Sequence, residues 1–162
     1  MQAGFTLIEI LIVIVIISIV TGAIMMTISH RDDGQAAAGA ANLLRSRILL
    51  AQQQALLQNK TLGLAISQDG YQFMSYSNAA QISGWQIITD RALRSQSWPS
   101  NLTIQLTTNE QLASGVDSSY PAIPQIIFYP SGDTTPFQIF LSKVYTLSNL
   151  KDGSVIIETN NG

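Results

Sequence analysis

Few side chains in this sequence are able to do chemistry, and one of them sits where chemistry is least expected. Glu9 is the single charge in residues 5–28, a run in which 18 of 24 residues are apolar. An acidic side chain inside such a run costs about 2.5–3.5 kcal/mol at the centre of a bilayer, and less near an end, so it calls for a partner. Cutting the chain between Gly4 and Phe5 creates one. The new α-amine, with a reference pKa of ~7.7–8.0, is a cation four residues before Glu9, a helical i,i+4 spacing that allows neutralisation within one chain or between neighbours. A positive amine at a helix N-terminus also opposes the macrodipole, which gives it a second reason to seek a carboxylate.

The other candidates are weaker. Cysteine is absent, which removes thiol nucleophiles, thiolate metal sites and disulfides together. The only histidine, His30, lies among Ser29, Arg31, Asp32 and Asp33 at the end of the apolar run. That setting suits an imidazole at a membrane interface better than a triad or a zinc site. Asp117, Asp133, Asp152 and Glu158 follow no cation-loop spacing such as an EF-hand, and read as solvated carboxylates. Eight basic and ten acidic residues give a net charge of −2 without runs, and Arg91 and Arg94 are the one close basic pair in the second half. No electrostatic footprint for nucleic acid results. The expectation is a protein with no cofactor, no metal and no catalytic residue.

The elements that carry these residues follow from periodicity. As a helix, residues 5–28 extend about 36 Å, enough for a ~30 Å hydrocarbon core. The β-branched content favours a strand in water, but in lipid an isolated strand leaves its backbone groups unpaired, so the helix wins. A secretory signal peptide fits poorly, because the run is too long and Met1-Gln2-Ala3-Gly4 lacks Lys and Arg. Residues 29–59 are expected to continue the helix in amphipathic form. Ala40, Leu44, Ile48, Ala51 and Ala55 make one stripe, while Leu43, Leu50 and Leu57 make a second, with Arg45, Gln52 and Gln53 exposed between them. Two stripes fit either two partners, the chain's own domain and a neighbouring subunit, or a helix sunk deeply in its own domain. Gly22, Gly34 and Gly39 each cost up to ~1 kcal/mol of helix propensity, which leaves room for local bending or melting there.

From residue 60 the chain reads as short strands. Leu62, Leu64 and Ile66 alternate, Asp69-Gly70 marks a hairpin, and Tyr71–Phe73 resumes the pattern. Further strands are predicted at 85–88, 102–106, 125–129, 137–141 and 154–158, with Asp152-Gly153 as a hairpin joining the last two. Ser131-Gly132-Asp133, flanked by Pro130 and Pro136, supplies a tight turn. Residues 107–124 are weakly patterned and form the best candidate for a mobile or partner-facing loop. One long helix followed only by strands gives an α+β domain in which the helix covers a sheet.

Gly4-Phe5-Thr6-Leu7-Ile8-Glu9 before an apolar helix resembles the processing signal of type IV pilins and of the pseudopilins of type II secretion. The segments Gln54–Phe73, Trp85, Arg91–Arg94, Trp98-Pro99 and Phe128–Phe137 extend that resemblance to the minor pseudopilin H group. The resemblance implies a type IV pilin-like fold with a leader at 1–4, a membrane half at 5–28, an amphipathic half at 29–59 and a periplasmic β domain at 60–162. It implies cleavage by a prepilin peptidase after Gly4, N-methylation of Phe5, and Glu9 as the carboxylate that sets assembly register. The implied setting is the bacterial inner membrane, crossed once, with the C-terminal domain in the periplasm. The implied partners are other major and minor pseudopilins, the peptidase and the inner-membrane assembly platform, in a fibre whose tip region holds this subunit and which supports export of folded proteins across the outer membrane. The alternatives are a minor pilin of a type IV pilus, some of which bind DNA, and a membrane-tethered enzyme or solute binder.

Overall fold

In a computed structural model, the described residues are 7–79, 82–100, 102–108, 111–112, 120, 123–142, 144–150 and 152–160, with no side chain described at 23–33, 82, 111 or 112. A helix, α1 (Leu7–Gln58), is followed by ten strands: β1 (Leu62–Ile66), β2 (Gly70–Ala79), β3 (Ile82–Ile87), β4 (Gln96–Ser97), β5 (Ile104–Thr108), β6 (Gln111–Leu112), β7 (Ile126–Phe128), β8 (Phe137–Leu141), β9 (Tyr145–Asn149) and β10 (Val155–Thr159). The chain divides into two compact units, Met1–Gln35 and Ala36–Gly162.

In the first unit the described side chains from Leu7 to Val20 are exposed all round the helix, as in a segment whose surroundings are apolar. Ser18 and Thr21 turn their hydroxyls back to the carbonyls of Ile14 and Ile17 at 2.8 and 2.7 Å, so neither presents an unsatisfied donor to those surroundings. Among the described residues no helix is long and apolar enough to cross a membrane. The expected span at 5–28 is represented there only by residues 7–22; its remaining side chains lie outside the described residues. The helix assignment runs through Gly22, Gly34 and Gly39, so the chain does not leave the helix at these positions.

The second unit is built on the rest of α1. Ala37, Ala41, Leu44, Ile48, Ala51 and Ala55 are fully buried, at spacings of four, three, four, three and four. The stripe is the predicted one except at its start, where Ala41 takes the place expected for Ala40. Small residues at both ends let the sheets approach the helix closely, and Leu44 and Ile48 fill the centre. Leu43 and Leu57 of the second predicted stripe are exposed, and Leu50 packs against the core. The helix stops in a Schellman motif with Asn59 left-handed (φ 51°): Lys60 N–H donates to the Ala55 carbonyl at 3.1 Å and Asn59 N–H to Leu56 at 3.4 Å.

Two antiparallel sheets complete the core. The first has the order β3-β2-β1-β7 with β4 paired to β2, and the second the order β10-β9-β8-β5-β6. In the first, Leu64 lies opposite Phe73 and Ile126, and Ile66 opposite Tyr71. In the second, Ile139 lies between Leu106 and Leu147. These side chains, with the helix stripe, form one core.

Several expectations are corrected here. Asp69-Gly70 does close the β1–β2 hairpin, with Ser67 N–H bonded to the Gly70 carbonyl at 2.9 Å. Asp152-Gly153 closes a hairpin too, but its first strand is β9, which the sequence pattern did not reveal. The Ser131–Asp133 turn folds Thr134 back onto Phe128 and then passes the chain from the first sheet to the second, so β7 and β8 are not hairpin partners. Thr107 and Thr108 belong to β5 and pair with β6, so the expected loop is strand at its start. Residues 109–110, 113–119 and 121–122 of that loop lie outside the described residues.

Candidate assembly site

Glu9 occupies the first turn of α1, exposed among apolar neighbours. The helix dipole favours a carboxylate at that position, so the turn that costs an amine its comfort steadies the acid. Gly4 and Phe5, the other two predicted site residues, lie outside the described residues, as does the His30 side chain.

The carboxylates of the second unit are engaged in turns. Asp133 accepts from the Ser131 hydroxyl at 2.7 Å. Asp152 accepts from the Ser154 hydroxyl at 2.7 Å and the Ser154 N–H at 3.0 Å. Those Ser154 bonds, the side chain's above all, hold the Asp152 carboxyl below its ordinary range although it is fully exposed. Glu158 is exposed at the end of β10, and Asp117 lies outside the described residues. Among the described residues no three of His, Asp and Glu come together as a metal site would require.

Three polar residues carry more of the architecture than the sequence indicated. Arg45, expected on an exposed face, donates from Nε to the Val155 carbonyl at 2.6 Å. Gln52 donates to both the Thr134 hydroxyl and the Gly153 carbonyl at 3.1 Å, tying α1 to the turn between the sheets and to the last hairpin. Arg47 donates to the Arg94 carbonyl at 3.0 Å and stands with its guanidinium 5.7 Å from the centroid of the Tyr71 ring. Burial pushes the Tyr71 hydroxyl's pKa up, and the Arg47 charge beside it pulls it part of the way back. No sequence spacing announces these contacts, because each joins residues from 24 to 110 positions apart.

A long N-terminal helix with a carboxylate in its first turn, packed by its second half on antiparallel sheets, defines a pilin-like subunit. The chain belongs to the type II transport protein GspH family, whose model matches residues 40–161, and the prokaryotic N-terminal methylation motif matches residues 1–25. Type II secretion system protein H of Aeromonas hydrophila is 25% identical over 152 residues, covering 88% of this chain and 81% of the relative. The protein of the same name from Pseudomonas aeruginosa is 27% identical over 145 residues, covering 86% and 83%. Among solved structures, the minor pseudopilin EpsH of Vibrio cholerae superposes with a TM-score of 0.65 at 18% identity, covering 78% of this chain and 98% of that one. The solution structure of Escherichia coli GspH gives 0.58 at 20% identity, covering 78% and 88%. These likenesses bear out the expected pilin-like α+β fold.

Proposed function

We infer that this chain is a structural minor subunit of a type II secretion pseudopilus, working near the fibre tip in the export of folded proteins across the outer membrane. The observation that carries the reading is the joint match of the GspH family model to residues 40–161 and of the methylation motif to residues 1–25. The apolar helix holds the subunit in the inner membrane with its second unit on the periplasmic side. A prepilin peptidase cuts after Gly4, Phe5 becomes the methylated terminus, and Glu9 then meets a neighbouring subunit's terminus as the helix leaves the lipid for the fibre. Extraction from lipid exposes the apolar helix to no water if neighbouring helices receive it, and the neighbour's terminal amine offers the carboxylate a cation within the fibre. The work is packing: the subunit makes and breaks no bond, and its partners are other pseudopilins and the inner-membrane assembly platform.

A secretion assay tests this. Deleting the chain's gene should leave folded exoprotein in the periplasm, and restoring the full chain should release it. Unaltered secretion in the deletion strain contradicts the reading. Mass spectrometry of the membrane-extracted protein should find a chain that begins at N-methylated Phe5; a native chain that still begins at Met1 contradicts the processing step.

A further inference from the structure

An open sheet edge is a row of backbone donors and acceptors that any extended chain can join, and two edges of this protein are guarded against that. On β7, Ile127 N–H donates to the Thr135 hydroxyl at 3.2 Å and the Ile127 carbonyl accepts from Thr135 N–H at 3.0 Å, so the chain itself occupies the edge. On β10, Arg45 Nε takes the Val155 carbonyl, and Glu158 sets an exposed charge in the strand. β3 has no such guard.

The stretch from Gly70 to Thr89, which holds β2 and β3, contains no Asp, Glu, Lys, Arg or Pro. β3 pairs with β2 in unbroken register from Ile82 to Ile87, without a bulge. Ile88 N–H donates to the Phe73 carbonyl at 2.9 Å, which sets the phase of that ladder. Ile82, Gly84 and Gln86 therefore turn their backbone groups toward β2, while Ser83, Trp85 and Ile87 turn theirs away. Those outward N–H and C=O groups meet no partner among the described residues. Beside them lies an apolar strip on one face of the sheet. The Tyr76 and Trp85 rings pack edge to face with centroids 5.4 Å apart, and Tyr76 and Ile87 are 44% and 54% exposed.

We propose that β3 takes up an uncharged extended strand from a different pilin-like subunit, which continues the first sheet into its neighbour. The edge itself selects this occupant. Outward backbone groups two residues apart are matched by another extended backbone and not by a helix, whose own groups are already bonded within it. With no charge in β2 or β3, a strand that lays an apolar side chain over Trp85 and Ile87 fits, whereas one with Lys or Glu there loses hydration and gains no counter-charge. Another pilin-like subunit, anchored in the same membrane, is held near at high effective concentration, and a minor subunit meets other subunits more often than its own copies. The inference rests on the pseudopilin reading above and names the edge by which the second unit joins a neighbour.

The test uses the full chain in its own membrane with the other pseudopilins present, carrying a photoreactive benzophenone amino acid in place of the exposed Ser83. The expected product is a cross-link to a different pilin-like subunit, mapped by mass spectrometry to a strand peptide. A cross-link to a helical peptide, to a second copy of this chain, to an exported protein or to lipid overturns the proposal, as does none at all. In the same background Ile87→Pro removes an outward N–H and none that β2 uses, so it should keep the Tm and weaken the cross-link several-fold. Ile87→Lys, which keeps the backbone and places a charge at the edge, should do the same. Undiminished cross-linking in either folded variant overturns the proposal, and so does an equal loss from Thr159→Lys on the β10 edge. If the unaltered chain co-purifies with the pseudopilus and gives no cross-link, the β3 site alone fails; if it does not co-purify, the reading of the protein fails and the β3 site with it.

Discussion

Asp152 and Gln52 show how single side chains hold this fold together. Because Ser154 stabilises the Asp152 carboxylate in the folded chain only, the folded pKa is lower than the unfolded one. The resulting stability is present above the ordinary carboxylate pKa of ~3.9 and is lost as pH falls through the lower folded value. Asp152 is fully exposed, so solvent screening keeps the effect small. Asp152→Asn, which keeps an acceptor for Ser154 but cannot titrate, should lower Tm only slightly near neutral pH, and that difference from the unaltered chain should close below about pH 4. Thermal melts across that range check this; a large loss near neutral pH would show that the charge itself holds the turn. Gln52 joins three elements through one amide. Gln52→Ala leaves the Thr134 hydroxyl and the Gly153 carbonyl to find water and should cost about 1–2 kcal/mol in denaturant unfolding.

At the scale of elements, the second half of α1 is the piece on which both sheets are laid. Leu44→Ala at the centre of its buried stripe should cost about 2–5 kcal/mol, since both sheets are too firmly paired to collapse into the space. Gly39→Ala, by contrast, should stabilise the helix by up to ~1 kcal/mol, because the added methyl meets nothing. Equilibrium unfolding of the two variants separates a packing position from a propensity position. The helix and most strands were legible because apolar spacing and Asp-Gly turns are local signals. β9 was not, since Tyr145–Asn149 contains one core aliphatic, Leu147, beside a buried Thr146. β1 departs from its alternating pattern in another way: all five of its residues are buried, and Gly63 has no room for a larger side chain because Pro124 and Trp85 press on that face. Gly63→Ala should therefore destabilise the domain although it raises strand propensity elsewhere.

At the scale of the whole molecule, the hydrophobic core of the described residues lies within Ala36–Gly162, so a fragment of those residues should unfold cooperatively without the N-terminal unit. Glu9, the residue proposed to act in assembly, was legible in the sequence because a single charge in an apolar run calls for a partner. A groove beside Tyr71 was invisible there, as its lining comes from residues 36–43 and 96–99, which only the fold brings together. The central claim is that Glu9 directs entry into the fibre and does not serve insertion into the membrane. Replacing Glu9 by Leu and measuring how much of the variant co-purifies with assembled pseudopili, against how much fractionates with the inner membrane, tests that claim most directly. The account predicts full membrane recovery with loss from the fibre; incorporation equal to that of the unaltered chain would contradict it.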